Sequence, residues 1–141
     1  MDSRRLATGT IVRGVTLFVL GDLIFDMAFA GFYAANAGSA TGVMREGQLL
    51  WAVALGALAY AALITYVMAN ARGPITTGAG ITIGATVAFL VWFTVDFTLY
   101  GISNVSNLTR TIVDPLLEAV RGGVAGAVIA AVLGRVPVAA R

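Results

Sequence analysis

The chain contains no cysteine, no histidine and no lysine. Without cysteine there are no disulfides, thiolate metal sites, iron–sulfur clusters or thiol nucleophiles. Without histidine it lacks the side chain that most often ligates metals or carries a proton near neutral pH, so any proton chemistry falls to carboxylates. Catalytic triads of the usual kinds cannot be assembled, and no nucleophile elbow or glycine-rich phosphate loop follows a strand. The chain therefore reads as a non-enzyme, with no cofactor and no metal site assigned. Charge is scarce as well, at 11% of 141 residues with a net charge of +2. The nine arginines sit at segment ends instead of forming a basic face with interleaved aromatics, which argues against nucleic acid as a partner.

What the chain has in abundance is apolar surface. It is 59% hydrophobic with a mean hydropathy of +0.91, more than a water-soluble globule of this size can cover with polar groups. Lipid is the expected solvent. Four apolar stretches, at 11–33, 49–70, 78–101 and 112–133, are each long enough to cross a hydrocarbon core of about 30 Å. The breaks between them carry glycines and asparagines, then Arg72-Gly73-Pro74, then Ser103-Asn104-Val105-Ser106-Asn107. Residues 1–10 are short, and the run that follows is too long for a signal-peptide core, so it is expected to be retained as a span. Helices satisfy their own backbone in lipid, and the expected architecture is an all-α, four-helix transmembrane bundle forming a single domain.

Arginine placement sets the expected orientation. Arg4, Arg5, Arg13, Arg72, Arg135 and Arg141 fall on the side of both termini, and Arg45 and Arg110 on the other, so both termini are expected in the cytoplasm. Tyr33, Trp51 and Tyr100 then lie near the outer interface, where amphipathic rings prefer to sit. Arg13 is expected to snorkel to the headgroups. The lysine-free, Ala/Gly/Arg-rich composition suggests a bacterial inner-membrane protein.

Against this apolar background the acids stand out. Asp22 and Asp26 lie in the first span, Asp96 in the third, and Asp114, Glu118 and Arg121 in the fourth. A charge at the bilayer centre costs about 2.5–3.5 kcal/mol even on lenient scales, so each needs a partner, water or a proton. At 1.5 Å per residue, Asp26 and Asp96 lie about 22 and 25 Å from the cytoplasmic end, and Glu118 and Arg121 descend to similar levels. Asp22 shares a helix face with Asp26, and Asp114 shares one with Glu118 and Arg121. One outcome is a buried network, with Arg121 pairing Glu118 and an aspartate to fix helix packing. Another is that carboxylates in excess of the one deep arginine exchange protons. Binding of magnesium or calcium is a third, and needs a convergence that spacing does not establish. Asp114 also has a local reading, because Asp-Pro opening an apolar run is a helix N-cap with proline at the first helical position.

Small residues form ridges. Gly122, Gly126, Ala130 and Gly134 recur every fourth residue, as do Gly80, Gly84 and Ala88, a spacing that lets two backbones approach closely within the fold or between subunits. Asn104-Val105-Ser106 and Asn107-Leu108-Thr109 match the glycosylation sequon, but no glycan is expected on a bacterial chain.

Asp22 within Val19-Leu20-Gly21-Asp22-Leu23-Ile24-Phe25, then Gly31-Phe32-Tyr33, Val95-Asp96-Phe97-Thr98 and Thr111-Ile112-Val113-Asp114, form a recurring set. In these the chain resembles the small bacterial four-helix membrane proteins of the domain-of-unknown-function family numbered twenty-one seventy-seven. The resemblance implies a four-helix inner-membrane protein with Asp22, Asp96 and Asp114 at family-type positions, and it implies no activity. Two functions remain open from the residues. One is a small transport module, a homo-oligomer exchanging protons or cations through a polar cavity lined by Asp26, Asp96 and Glu118. The other is an accessory or assembly subunit of a larger membrane complex.

Overall fold

The computed structural model describes residues 3–133, and every regular element there is helical apart from one antiparallel bridge, Ala37 to Ser106. Gly134, Arg135 and Arg141 lie outside the described residues, as do the side chains of Arg4, Arg5 and Arg13. The all-α class holds. The helices are α1 (Ser3–Gly21), a π-helical segment (Asp22–Ala28), α2 (Ala30–Ala35), α3 (Leu50–Asn70), α4 (Thr77–Ile102) and α5 (Leu108–Leu133). Among them, α3 and α4 are long and apolar enough to cross a membrane.

The first apolar stretch differs from the single helix expected of it. It begins as α1, widens into the π segment, where Phe29 N–H donates to the Ile24 carbonyl five residues back at 2.8 Å, and resumes as α2 after Phe29. Hydropathy does not register such a break, because apolar residues continue on both sides of Asp22 and Asp26. The fourth stretch also starts earlier than expected. Asn107 caps α5, its Oδ1 accepting from Arg110 N–H at 2.9 Å, and this places Asp114 nearly two turns inside the helix with Pro115 beside it. Asp114 is therefore not an N-cap, and its side chain is released for other contacts. Thr76 caps α4 by accepting from Ala79 N–H at 3.1 Å.

The closest packing in the molecule joins α4 to α5. A Cβ added to Gly84 would run into the Gly122 carbonyl oxygen, one on Gly122 would lie 2.5 Å from the Gly84 carbonyl oxygen, and one on Gly80 would lie 2.7 Å from the Ala130 Cβ. The two small-residue ridges thus meet backbone to backbone within one chain. The apolar core lies next to this seam, where Leu17 of α1 meets Ala57, Ala61, Ile64 and Met68 of α3 and Ala125 and Ile129 of α5.

At the opposite end the chain after α2 is tied to the α4–α5 turn. Gly38 N–H donates to the Val105 carbonyl at 3.2 Å, Ala40 N–H to the Asn104 carbonyl at 3.0 Å, and Asn107 Nδ2 to Asn36 Oδ1 at 3.1 Å. Gly38 is required there, because any Cβ would strike the Asn104 backbone. This clamp holds α2 against the start of α5. Trp51 and Tyr100 are exposed, 70% and 42%, whereas Tyr33 is half-buried and bonded to Asp114.

Candidate functional site

The seam between α4 and α5 changes character along its length. On α4 the same every-fourth-residue ridge runs Gly80, Gly84, Ala88, Trp92, Asp96; on α5 it runs Ala130, Gly126, Gly122, Glu118, Asp114. Small residues bring the backbones together at one end, and polar residues face one another at the other. Asp96 and Asp114 accordingly lie beside each other, close enough to interact directly. Tyr33 Oη donates to Asp114 Oδ1, and its ring is covered by the Arg110 guanidinium 4.8 Å from the centroid. Asp114 is therefore approached by an acid from α4 and a phenol from α2.

One turn deeper, Arg121 Nη1 meets Glu118 Oε1 at 2.7 Å. Its Nε and Nη2 both donate to the Leu17 carbonyl, at 2.9 and 2.6 Å. A helical carbonyl is ordinarily screened by the side chain four residues on, and here that residue is Gly21. A Cβ on Gly21 would stand 2.9 Å from Arg121 Nη2. The guanidinium also lies 5.6 Å from the Phe25 ring centroid, within the range of a cation–π contact. Arg121 thus fastens α5 to the first helix at the point where it gives way to the π segment. Among the described residues its acidic partner is Glu118 and no aspartate.

Glu118 is only half satisfied. It is 2% exposed, one oxygen is held by Arg121, and Oε2 has no hydrogen-bond partner. Asp96 Oδ2 is likewise buried without a donor, while Tyr60 Oη and Trp92 Nε1 adjoin each other without a well-formed hydrogen bond. Buried polar atoms are satisfied in the great majority of cases, and these four lie around Glu118 and Asp114.

A cavity of about 920 Å³ opens onto this level. Glu118, Arg121, Asp114 and Trp92 line it from α4 and α5, Asp22 and Asp26 from the π segment, and Met44 and Gln48 from the chain that follows α2. Asp22 and Asp26 are exposed on its wall, and Asp26 accepts a weak hydrogen bond from Gln48 Nε2 at 3.4 Å. Of the acids expected to cluster, Asp96, Asp114 and Glu118 come together along the seam; Asp114 and Glu118 share the cavity wall with Asp22 and Asp26, and Asp96 does not line it. Among the described residues no group of three or more carboxylates is arranged to hold a metal ion.

Sequence reasoning did not single out Gly21, Trp92 or Arg110 as parts of this site. Trp92 carried a usable signal, since it lies four residues before Asp96 on the same helix face. The π segment carried none, although π turns recur at functional sites. Compared with known protein families, curated proteins and solved structures, the chain shows no match.

Proposed function

We propose that the chain is a multi-pass protein of a bacterial inner membrane, with four membrane crossings and both termini cytoplasmic, and that it is a small transport module. Asp26, Asp96 and Glu118 exchange protons or cations through the cavity, and a homo-oligomer completes the pathway. The first crossing is made by α1, the π segment and α2 together, a broken helix of the kind tolerated where its irregular backbone lines a cavity.

The observation that carries this reading is Glu118. A carboxylate serving only as a packing lock has both oxygens satisfied, because a half-satisfied buried network is worse than an apolar core. Glu118 instead lines a cavity while 2% exposed and keeps one oxygen without a hydrogen-bond partner. In liposomes carrying a pH gradient, the wild-type protein is expected to conduct protons or cations, with Asp96→Asn and Asp26→Asn abolishing the flux while circular dichroism and thermal unfolding stay unchanged. Wild-type vesicles as tight as empty ones would sink the proposal.

A second reading, an accessory subunit of a larger membrane complex, is favoured by Arg121 alone. All three of its nitrogens are engaged in fastening two helices. Recovery of a stoichiometric partner in mild detergent, together with silent liposomes, is the outcome that selects it.

A further inference from the structure

We infer that the cavity binds a hydrophobic organic cation, a bulky amine or quaternary centre, with Glu118 as the innermost carboxylate of its wall. The inference rests on the transport reading for its biological sense, but binding is measurable without transport.

Charge comes first. The cavity wall carries four acids, Asp22, Asp26, Asp114 and Glu118, against two arginines. The two arginines differ in how far they are engaged. Arg121 is spent on Glu118 and the Leu17 carbonyl, and Arg110 lies over the Tyr33 ring. The wall therefore carries two more acids than arginines, and Asp22 and Asp26, exposed on it, have no cationic partner among the described residues, which favours a cation over an anion. Glu118 supplies an observation independent of that count, a side chain on the cavity wall that is 2% exposed and has one oxygen without a hydrogen-bond partner.

The remaining wall decides what kind of cation. Phe18, Phe25, Tyr33 and Trp92 contribute aromatic surface, and Leu23, Leu50 and Val53 contribute aliphatic surface. A small hydrated metal ion needs converging oxygens, which these walls do not offer. A diffuse organic cation has no tightly held water to lose and is attracted to aromatic faces. At about 920 Å³ the cavity is in the range that accepts drug-sized molecules.

The test compares two ions of the same shape and opposite charge. Tetraphenylphosphonium and tetraphenylborate are titrated against the full chain in dodecylmaltoside micelles. The readout is Trp92 fluorescence in a Trp51→Phe background, since the chain has two tryptophans and Trp51 lies outside the cavity. Tetraphenylphosphonium is expected to bind saturably and tetraphenylborate not to. Asp22→Asn, on the exposed wall and free of structural contacts, weakens binding by about threefold, as loss of one partly screened charge implies. Glu118→Gln weakens it by about tenfold or more. If Glu118→Gln fails to fold, Asp22→Asn combined with Asp26→Asn replaces it, with the same direction expected. Equal binding of both ions, absence of tetraphenylphosphonium binding, or binding indifferent to these substitutions would overturn the inference. Absence of binding alongside Asp96-dependent proton flux overturns the ligand and leaves the transport reading; binding with tight vesicles does the reverse.

Discussion

Replacing Gly84 by alanine is expected to part α4 from α5, although the same exchange at an open helical site stabilises. The added Cβ would collide with the Gly122 carbonyl oxygen and lie 3.0 Å from the Gly122 carbonyl carbon and 3.1 Å from the Gly126 Cα. All three obstacles are backbone, so none can rotate aside, and restoring ordinary separations of about 3.5–4.0 Å requires the helices to move apart. Overpacking of this kind costs about 1–3 kcal/mol. Against it stands a gain of about 1 kcal/mol, because glycine inside a helix is worse than alanine by that amount. Gly56→Ala on α3 isolates the gain, since nothing lies within 4 Å of a Cβ there. The propensity contribution cancels between the two variants, leaving Gly84→Ala less stable than Gly56→Ala by about 1–3 kcal/mol. Gly21→Ala is expected to fall between them, because its Cβ would meet the tip of the Arg121 side chain at 2.9 Å, an obstacle that can shift. Titration of micellar protein with dodecyl sulfate, followed by tryptophan fluorescence, ranks the three. A Gly84→Ala protein as stable as Gly56→Ala would refute the backbone-to-backbone seam.

Two further substitutions examine the polar end. Arg121→Gln strands Glu118, which is 2% exposed, and is expected to cost about 3–5 kcal/mol, most of it recovered when Glu118→Gln is added; simple additivity of the two in thermal unfolding would show that the pair is not coupled. Tyr33→Phe removes the only hydroxyl donating to Asp114 among the described hydrogen bonds and should lower stability by about 1–3 kcal/mol, whereas an unchanged midpoint would mean the bond contributes nothing.

The sequence was most legible where apolar runs are uninterrupted. The stretches expected at 49–70 and 78–101 agree with Leu50–Asn70 and Thr77–Ile102 to within a residue at each end, because hydropathy and flanking turn residues change together there. It was least legible where polar residues compete. Asn107 and Asp114 both precede good helical sequence, and Asn107 captures the cap because its side chain is also held by Asn36. The pairing of Arg121 with a main-chain carbonyl of α1 had no signature in spacing, since it depends on a glycine 100 positions away leaving that carbonyl uncovered. Tyr33 reads as an interfacial ring, and its bond to Asp114 beside the clamp between Asn36 and Asn107 has no signature in spacing.

The two facing ridges repeat every four residues, and a repeat of that kind is indifferent to sliding. Displaced by one turn, about 5.4 Å, α4 would again set small residues against small residues along much of the seam. Trp92 removes this freedom. In the observed alignment the ridge count puts it beside Glu118; one step toward the glycines, its indole would have to enter a gap too narrow for a methyl group at Gly122. A single bulky ring therefore acts as the vernier that selects one alignment among several nearly equal ones. Because Asp96 and Asp114 ride on the same two rods, that choice also decides which acids meet.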